Sequence, residues 1–138
     1  MATDDWSLKK YASENTPEEW VVRKNLSPAV KPGDPKYRFI AYLTFAYEPR
    51  DASGLPTDED NDLLSDIEES ELGELEENGL SVLVAVVLKA GVKDFIFYTR
   101  DAHAFEQKAE RFREAYPQFE VNYDVSADRG WKQYKEIP

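Results

Sequence analysis

The densest set of ligand-type side chains is Asp58-Glu59-Asp60-Asn61-Asp62, which packs four carboxylates and an amide into five positions. Oxygen clusters of this kind hold calcium when a loop folds them around the ion. The twelve-residue calcium loop needs glycine at its sixth position and glutamate at its twelfth. Counted from Asp58, those positions are Leu63 and Glu69, so the turn glycine is missing. Acidic residues in the first turn of a helix, favoured by its dipole, account for the cluster better. No metal is expected, and no cofactor either: the chain has no Gly-x-Gly-x-x-Gly and no Gly-Lys-Ser/Thr phosphate loop.

Other starting points for catalysis are few. His103 is the single histidine, so a multi-histidine metal site is excluded and no triad around it is recognisable. It lies at the start of a predicted helix, off the apolar stripe, where a solvent-facing residue is expected. The absence of cysteine rules out disulfides, thiolate catalysis and thiolate metal sites together. Carboxylates are numerous enough for a two-carboxylate hydrolase. Nearly all, however, fall on the outside of an acidic helix, where nothing buries them and raises their pKa. Glu68 differs because it follows Ile67 and borders the core. It is expected to pair with an Arg or Lys, with a catalytic carboxylate as the alternative.

The best local motif is Asp128-Arg129-Gly130-Trp131-Lys132-Gln133-Tyr134. A spacing of three puts Trp131 and Tyr134 on one face of a short helix or turn. They form either an aromatic contact pair for a partner or a tail that folds back over the sheet edge or the core.

The elements that would position these residues follow from periodicity. Tyr37–Tyr47 alternates Tyr37, Phe39, Ala41, Leu43, Phe45 and Tyr47 on one face with a partly polar second face, as in a central strand. Thr57–Asn78 reads as an acidic helix with Thr57 as N-cap, an apolar stripe of Leu63, Leu64, Ile67, Leu72 and Leu75, and Gly79 at its close. Gly73 marks a bend or an early end. Leu80–Lys89 is apolar on both faces, and the short connection Ala90-Gly91-Val92-Lys93 returns Asp94–Thr99 as a hairpin. Asp101 caps a second helix, Ala102–Tyr116, whose residues Ala102, Phe105, Ala109, Phe112 and Tyr116 make one apolar face before Pro117 ends it. Phe119–Val125 alternates as a last strand.

That order predicts an α+β, ferredoxin-like two-layer sandwich, β-α-β-β-α-β, with an N-terminal strand or hairpin extension. Trp20-Val21-Val22 favours a strand, and Trp6–Tyr11 is its expected hairpin arm. The 138 residues then divide as a single domain: an extension over 1–35, a core over 36–126 and a tail over 127–138 that packs on the core. A composition of 41% hydrophobic and 13% aromatic residues supports a folded core despite 33% charge. The apolar run Leu80–Leu88 is too short to span a bilayer. The start Met-Ala-Thr-Asp-Asp shows no secretory signal, which leads to a cytoplasmic expectation.

The charge is localised. The segment Thr57–Asn78 holds 11 acidic and no basic residues, while the rest of the chain balances 17 against 17, so the net −11 belongs to this segment. Binding nucleic acid through a general basic surface is therefore not expected. The acidic face either steers toward a basic protein partner or is a solvated surface.

Three stretches resemble a known family. Ser53-Gly54-Leu55-Pro56-Thr57-Asp58-Glu59 with Ile67-Glu68-Glu69, Phe95-Ile96-Phe97-Tyr98-Thr99-Arg100-Asp101, and Asp128-x-x-Trp131-x-x-Tyr134 are similar to motifs of a bacterial domain-of-unknown-function family numbered six-nine-five, related to the regulator of ribonuclease E activity B. The likeness covers most of Tyr37–Ile137, and Trp6-x-x-x-x-Tyr11 echoes it loosely at the N-terminus. It implies a ferredoxin-like fold and, through the related regulator, action by binding a protein rather than by catalysis. It brings no catalytic residue. Glu68, Tyr98, Asp101, Trp131 and Tyr134 are the candidate interaction residues. The expected function is a non-enzymatic protein-interaction or regulatory module. The alternative is a small-ligand binder or hydrolase using a carboxylate in an aromatic-lined pocket.

Overall fold

The computed structural model of the chain describes residues 5–138. The start read above for a leader, residues 1–4, lies outside them. Among the described residues, six strands form one open sheet: β1 Trp6–Ala12, β2 Glu19–Asn25, β3 Phe39–Ala46, β4 Ser81–Lys89, β5 Val92–Thr99 and β6 Glu120–Ala127. Their order across the sheet is β1-β2-β4-β5-β3-β6, and every neighbouring pair is antiparallel. The helices are α1 Asp58–Ser70, α2 Gly73–Glu76, α3 Ala102–Ala115 and α4 Lys132–Glu136, with a 3₁₀ turn at Glu77–Gly79.

The alternation in β3 works as the sequence indicates. Ala41, Leu43 and Phe45 turn toward the helices, while Ile40 turns to the opposite side, and all four are fully buried. Phe45 is the hub of the helix-side core, meeting Phe95, Phe112, Tyr116 and Phe119 edge-on. Each such phenylalanine contributes about 1.5–3 kcal/mol by leaving water, before entropy is counted. Thr57 and Asp101 cap α1 and α3, accepting the backbone N–H of Asp60 at 3.2 Å and of Ala104 at 3.0 Å. Between β4 and β5 the two loop residues Ala90 and Gly91 have φ of 48° and 84°, the left-handed pair that a tight two-residue hairpin requires.

The N-terminal segment is a hairpin. Its register pairs Trp6 with Asn25 and Tyr11 with Trp20, and β2 joins the free side of β4. The sheet is thereby two strands wider than the β3-to-β6 core.

Two expectations need correction. The acidic segment is not one helix: α1 stops at Ser70, and a separate turn of helix, α2, follows. The step from Ile67 to Leu72 is five residues, out of phase with a 3.6-residue repeat. Breaking the helix at Glu71 lets Leu72 and Leu75 reach the same core as Leu64 and Ile67. Nor is the molecule only two layers deep. The far face of the sheet carries its own core, in which Tyr37, Trp131 and Tyr134 pack on Ile40, Val84, Ile96 and Tyr98, with Val30 and Ile137 at its margin.

Candidate functional site

The widened sheet creates a cleft that a four-stranded core would lack. On the helix side, one row across the sheet runs Leu8–Arg23–Val86–Phe95, and the next runs Lys10–Val21–Leu88–Lys93. The helices cover the inner members of these rows and stop short of the outer ones, leaving Leu8 59% exposed. Where α1 ends its cover, a cleft of about 250 Å³ opens, floored by Val21, Val86 and Leu88. One wall is α1, whose Asn61, Ser65 and Glu68 share a face at helical spacing, with Glu69 beside them.

Glu68 is the centre of this cleft. Its Oε1 accepts Arg23 Nη2 at 2.5 Å and lies 3.5 Å from Lys93 Nζ. The expectation of an Arg or Lys partner for Glu68 is met twice, from two different strands. Lys93 rises from the middle of the sheet, and its side chain is only 6% exposed. Burial pushes its ammonium below the usual lysine range. The Glu68 carboxylate opposes that shift, and the Arg23 guanidinium adds to it. Two cations thus share one carboxylate oxygen beside an apolar floor.

Sequence reasoning singled out Glu68 but missed Arg23 and Lys93. Lys93 falls within the expected connection Ala90-Gly91-Val92-Lys93, yet it alternates with Phe95 and Phe97 and so lies on the buried face of β5. Arg23 carried no such signal, because its neighbour across the sheet depends on β2 docking against β4.

The other candidate residues lie on the far face or at a helix start. Tyr98 is buried and donates its hydroxyl to Asp128 Oδ2 at 2.6 Å. Trp131 stacks on Tyr98 with ring centroids 4.1 Å apart and planes 6° from parallel, and its Nε1–H donates to the Tyr37 carbonyl at 2.8 Å. Tyr134 sets its ring against Trp131 and donates its hydroxyl to the Asn25 carbonyl at 2.6 Å. Trp131 is 0% exposed. Of the two readings of the Trp-x-x-Tyr tail, the geometry is therefore that of a tail folded back over the sheet, and Trp131 offers a partner no surface. Asp101 is exposed and serves as the α3 cap. His103, two residues further on, is exposed as expected.

What the chain does present is the outer hairpin. Tyr11 and Trp20 face one another across β1 and β2 and are 40% and 41% exposed. Trp20 is held by Lys89, whose ammonium lies 4.8 Å from the ring centroid, and its indole N–H donates to Glu18. Strand β1 pairs only with β2, so its outer edge is open.

Among the described residues, no group of three or more His, Asp and Glu side chains converges as a metal site would require, and no helix is long and apolar enough to cross a membrane. The chain matches a family of unknown function (DUF695) over residues 4–137. No curated protein and no solved structure matches it.

Proposed function

The chain belongs to the family of unknown function (DUF695), and we propose that it is a non-enzymatic binding module that meets a protein partner through the β1–β2 hairpin. One observation carries this reading: an open edge strand coincides with exposed Leu8, Tyr11 and Trp20. An edge strand offers unpaired backbone groups to which a partner can add a strand. Large aromatic residues supply the anchoring contacts that such backbone pairing lacks. The opposite edge, β6, shows exposed Glu120, Asn122, Asp124 and Ser126 instead and is polar.

The exposed carboxylates Asp62, Asp66 and Glu69 of α1 favour a partner with a basic surface, mainly through the rate of encounter. The order β4-β5-β3-β6, with α1 and α3 in the crossovers, supports a ferredoxin-like arrangement for 36–126. The motif resemblance to relatives of the regulator of ribonuclease E activity B would fit binding rather than catalysis. A cytoplasmic setting belongs to the same reading.

Affinity capture from the native host, followed by mass spectrometry, tests it with two baits: the wild-type chain and a Tyr11→Ser/Trp20→Ser variant. A partner retained by the first, lost by the second and released progressively by salt is the expected result. Identical captured sets would rule out the hairpin as the contact surface.

A further inference from the structure

We propose that the cleft between α1 and β2 binds a small monocarboxylate. Arg23 and Lys93 bring two positive charges to the single carboxylate of Glu68, and both meet the same oxygen. For a lysine side chain this deeply buried, an unbalanced positive charge is costly, and each further anionic contact offsets part of that cost. Glu69 sits exposed at the rim and, among the described residues, pairs with neither cation. One more carboxylate beside them would let Arg23 and Lys93 each have an anionic partner instead of sharing one oxygen.

The remaining lining fits such a guest. The Asn61 amide and the Ser65 hydroxyl face the same space from α1, and neither side chain has a hydrogen-bond partner among the described residues. They supply neutral donors for a second carboxylate oxygen. Val21, Val86 and Leu88 offer an apolar floor for an alkyl chain, and the volume of about 250 Å³ limits that chain to a few carbons. Glu69 borders the opening, and its carboxylate disfavours a dianion more than a monoanion. The chemistry selected is one carboxylate on a short apolar chain, with inorganic phosphate discriminated against. This site does not depend on the hairpin as a partner surface, so either reading can fail while the other stands.

Sodium acetate, sodium butyrate and sodium phosphate are the probes, titrated into the ¹⁵N-labelled full chain and followed by amide and lysine side-chain resonances. Butyrate should give saturable shifts at Arg23, Asn61, Ser65 and Lys93. It should bind tighter than acetate by about two- to fourfold per added methylene, and tighter than phosphate. Lys93→Met, which keeps the length of the side chain and removes its charge, should weaken butyrate at least about tenfold. Glu68→Gln leaves both cations without their carboxylate, so butyrate should raise its melting temperature more than that of the wild type. Shifts that never saturate, phosphate binding as tightly as butyrate, or a Lys93→Met chain that binds butyrate undiminished would each overturn the proposal. If Glu68→Gln does not fold, the wild-type and Lys93→Met titrations decide alone.

Discussion

Tyr98 and Asp128 tie the C-terminal tail to the centre of the sheet: the Tyr98 hydroxyl donates to Asp128 Oδ2 at 2.6 Å and accepts the Tyr134 backbone N–H at 3.1 Å. Asp128 also accepts the backbone N–H groups of Lys132 and Gln133, so a single carboxylate holds the first turn of α4. Tyr98→Phe removes one donor and one acceptor from a buried network. It should cost about 1–3 kcal/mol in urea unfolding and speed amide exchange in Lys132–Glu136 ahead of the rest of the chain.

Alkaline pH should unfold the protein through its buried phenols. Tyr47 donates its hydroxyl to the Gly54 carbonyl at 2.6 Å, and burial pushes its pKa up to about 12. Burial and the hydrogen bond to Asp128 push Tyr98 in the same direction. In the unfolded chain these groups ionise near the ordinary phenol value of 10.0. Their contribution is therefore complete below pH 10 and declines as the pH rises through the folded values. For Tyr47 the loss amounts to about 2–3 kcal/mol by pH 12. Tyr47→Phe should flatten the fall in stability over this window, and an unchanged slope would contradict the assignment.

The Glu68 cluster predicts an asymmetry between its partners. Glu68→Ala leaves buried Lys93 with only a like-charged neighbour and should cost about 2–4 kcal/mol at pH 7. Lys93→Met should cost much less, because Arg23 still answers Glu68. The lowered Lys93 pKa means that the folded state releases its proton first, so the stability of Glu68→Ala should recover as pH rises toward the ordinary lysine value of 10.5. Adding Lys93→Met to Glu68→Ala should abolish that recovery.

Trp131 and Trp20 predict opposite outcomes for the same type of residue. Trp131→Ala empties the centre of the far-face core and should cost about 3–5 kcal/mol, with loss of the most blue-shifted tryptophan emission. Trp20→Ala should change stability by no more than about 0.5 kcal/mol.

Gly54→Ala tests a close approach at the margin of the helix-side core, next to Tyr47. Gly54 has φ +83°, and an added Cβ would lie 2.9 Å from the Ala90 nitrogen. The Gly54 carbonyl also accepts Gly91 N–H at 2.9 Å, so the loop and the β4–β5 turn are locked back to back. The variant should lose about 1–3 kcal/mol, seen as a lower thermal midpoint, with disturbed amide signals at Ala90 and Gly91.

The strands and α3 were legible because their alternation and 3/4 spacing are local properties. Thr57, Asp101 and Pro117 mark helix ends by chemistry that acts within a few residues. The break after Ser70 was signalled by Gly73 and by the five-residue step from Ile67 to Leu72, although neither fixes its position. The cleft was not legible. It exists because β2 joins β4 more than sixty positions along the chain, and no spacing within either segment states that pairing. Glu68 stood out through its neighbour Ile67, whereas Arg23 acquires meaning only when the register sets it beside Val86. Trp131 and Tyr134 showed their shared face but not which surface would meet it.

The far-face core also joins distant parts of the chain. Its closing hydrogen bonds span 94 residues between Tyr37 and Trp131, and 109 between Asn25 and Tyr134. The helix-side hub at Phe45, together with the β4–β5 hairpin, can assemble from chain segments already released during synthesis. The opposite face, by contrast, is completed by residues 131–137 together with Val30 and Tyr37. Ile40, Val84 and Ile96 owe part of their cover to Trp131 and Tyr134, so displacing the tail would bare apolar sheet surface. Such long-range closure raises the contact order of the fold, which favours slow folding for its size.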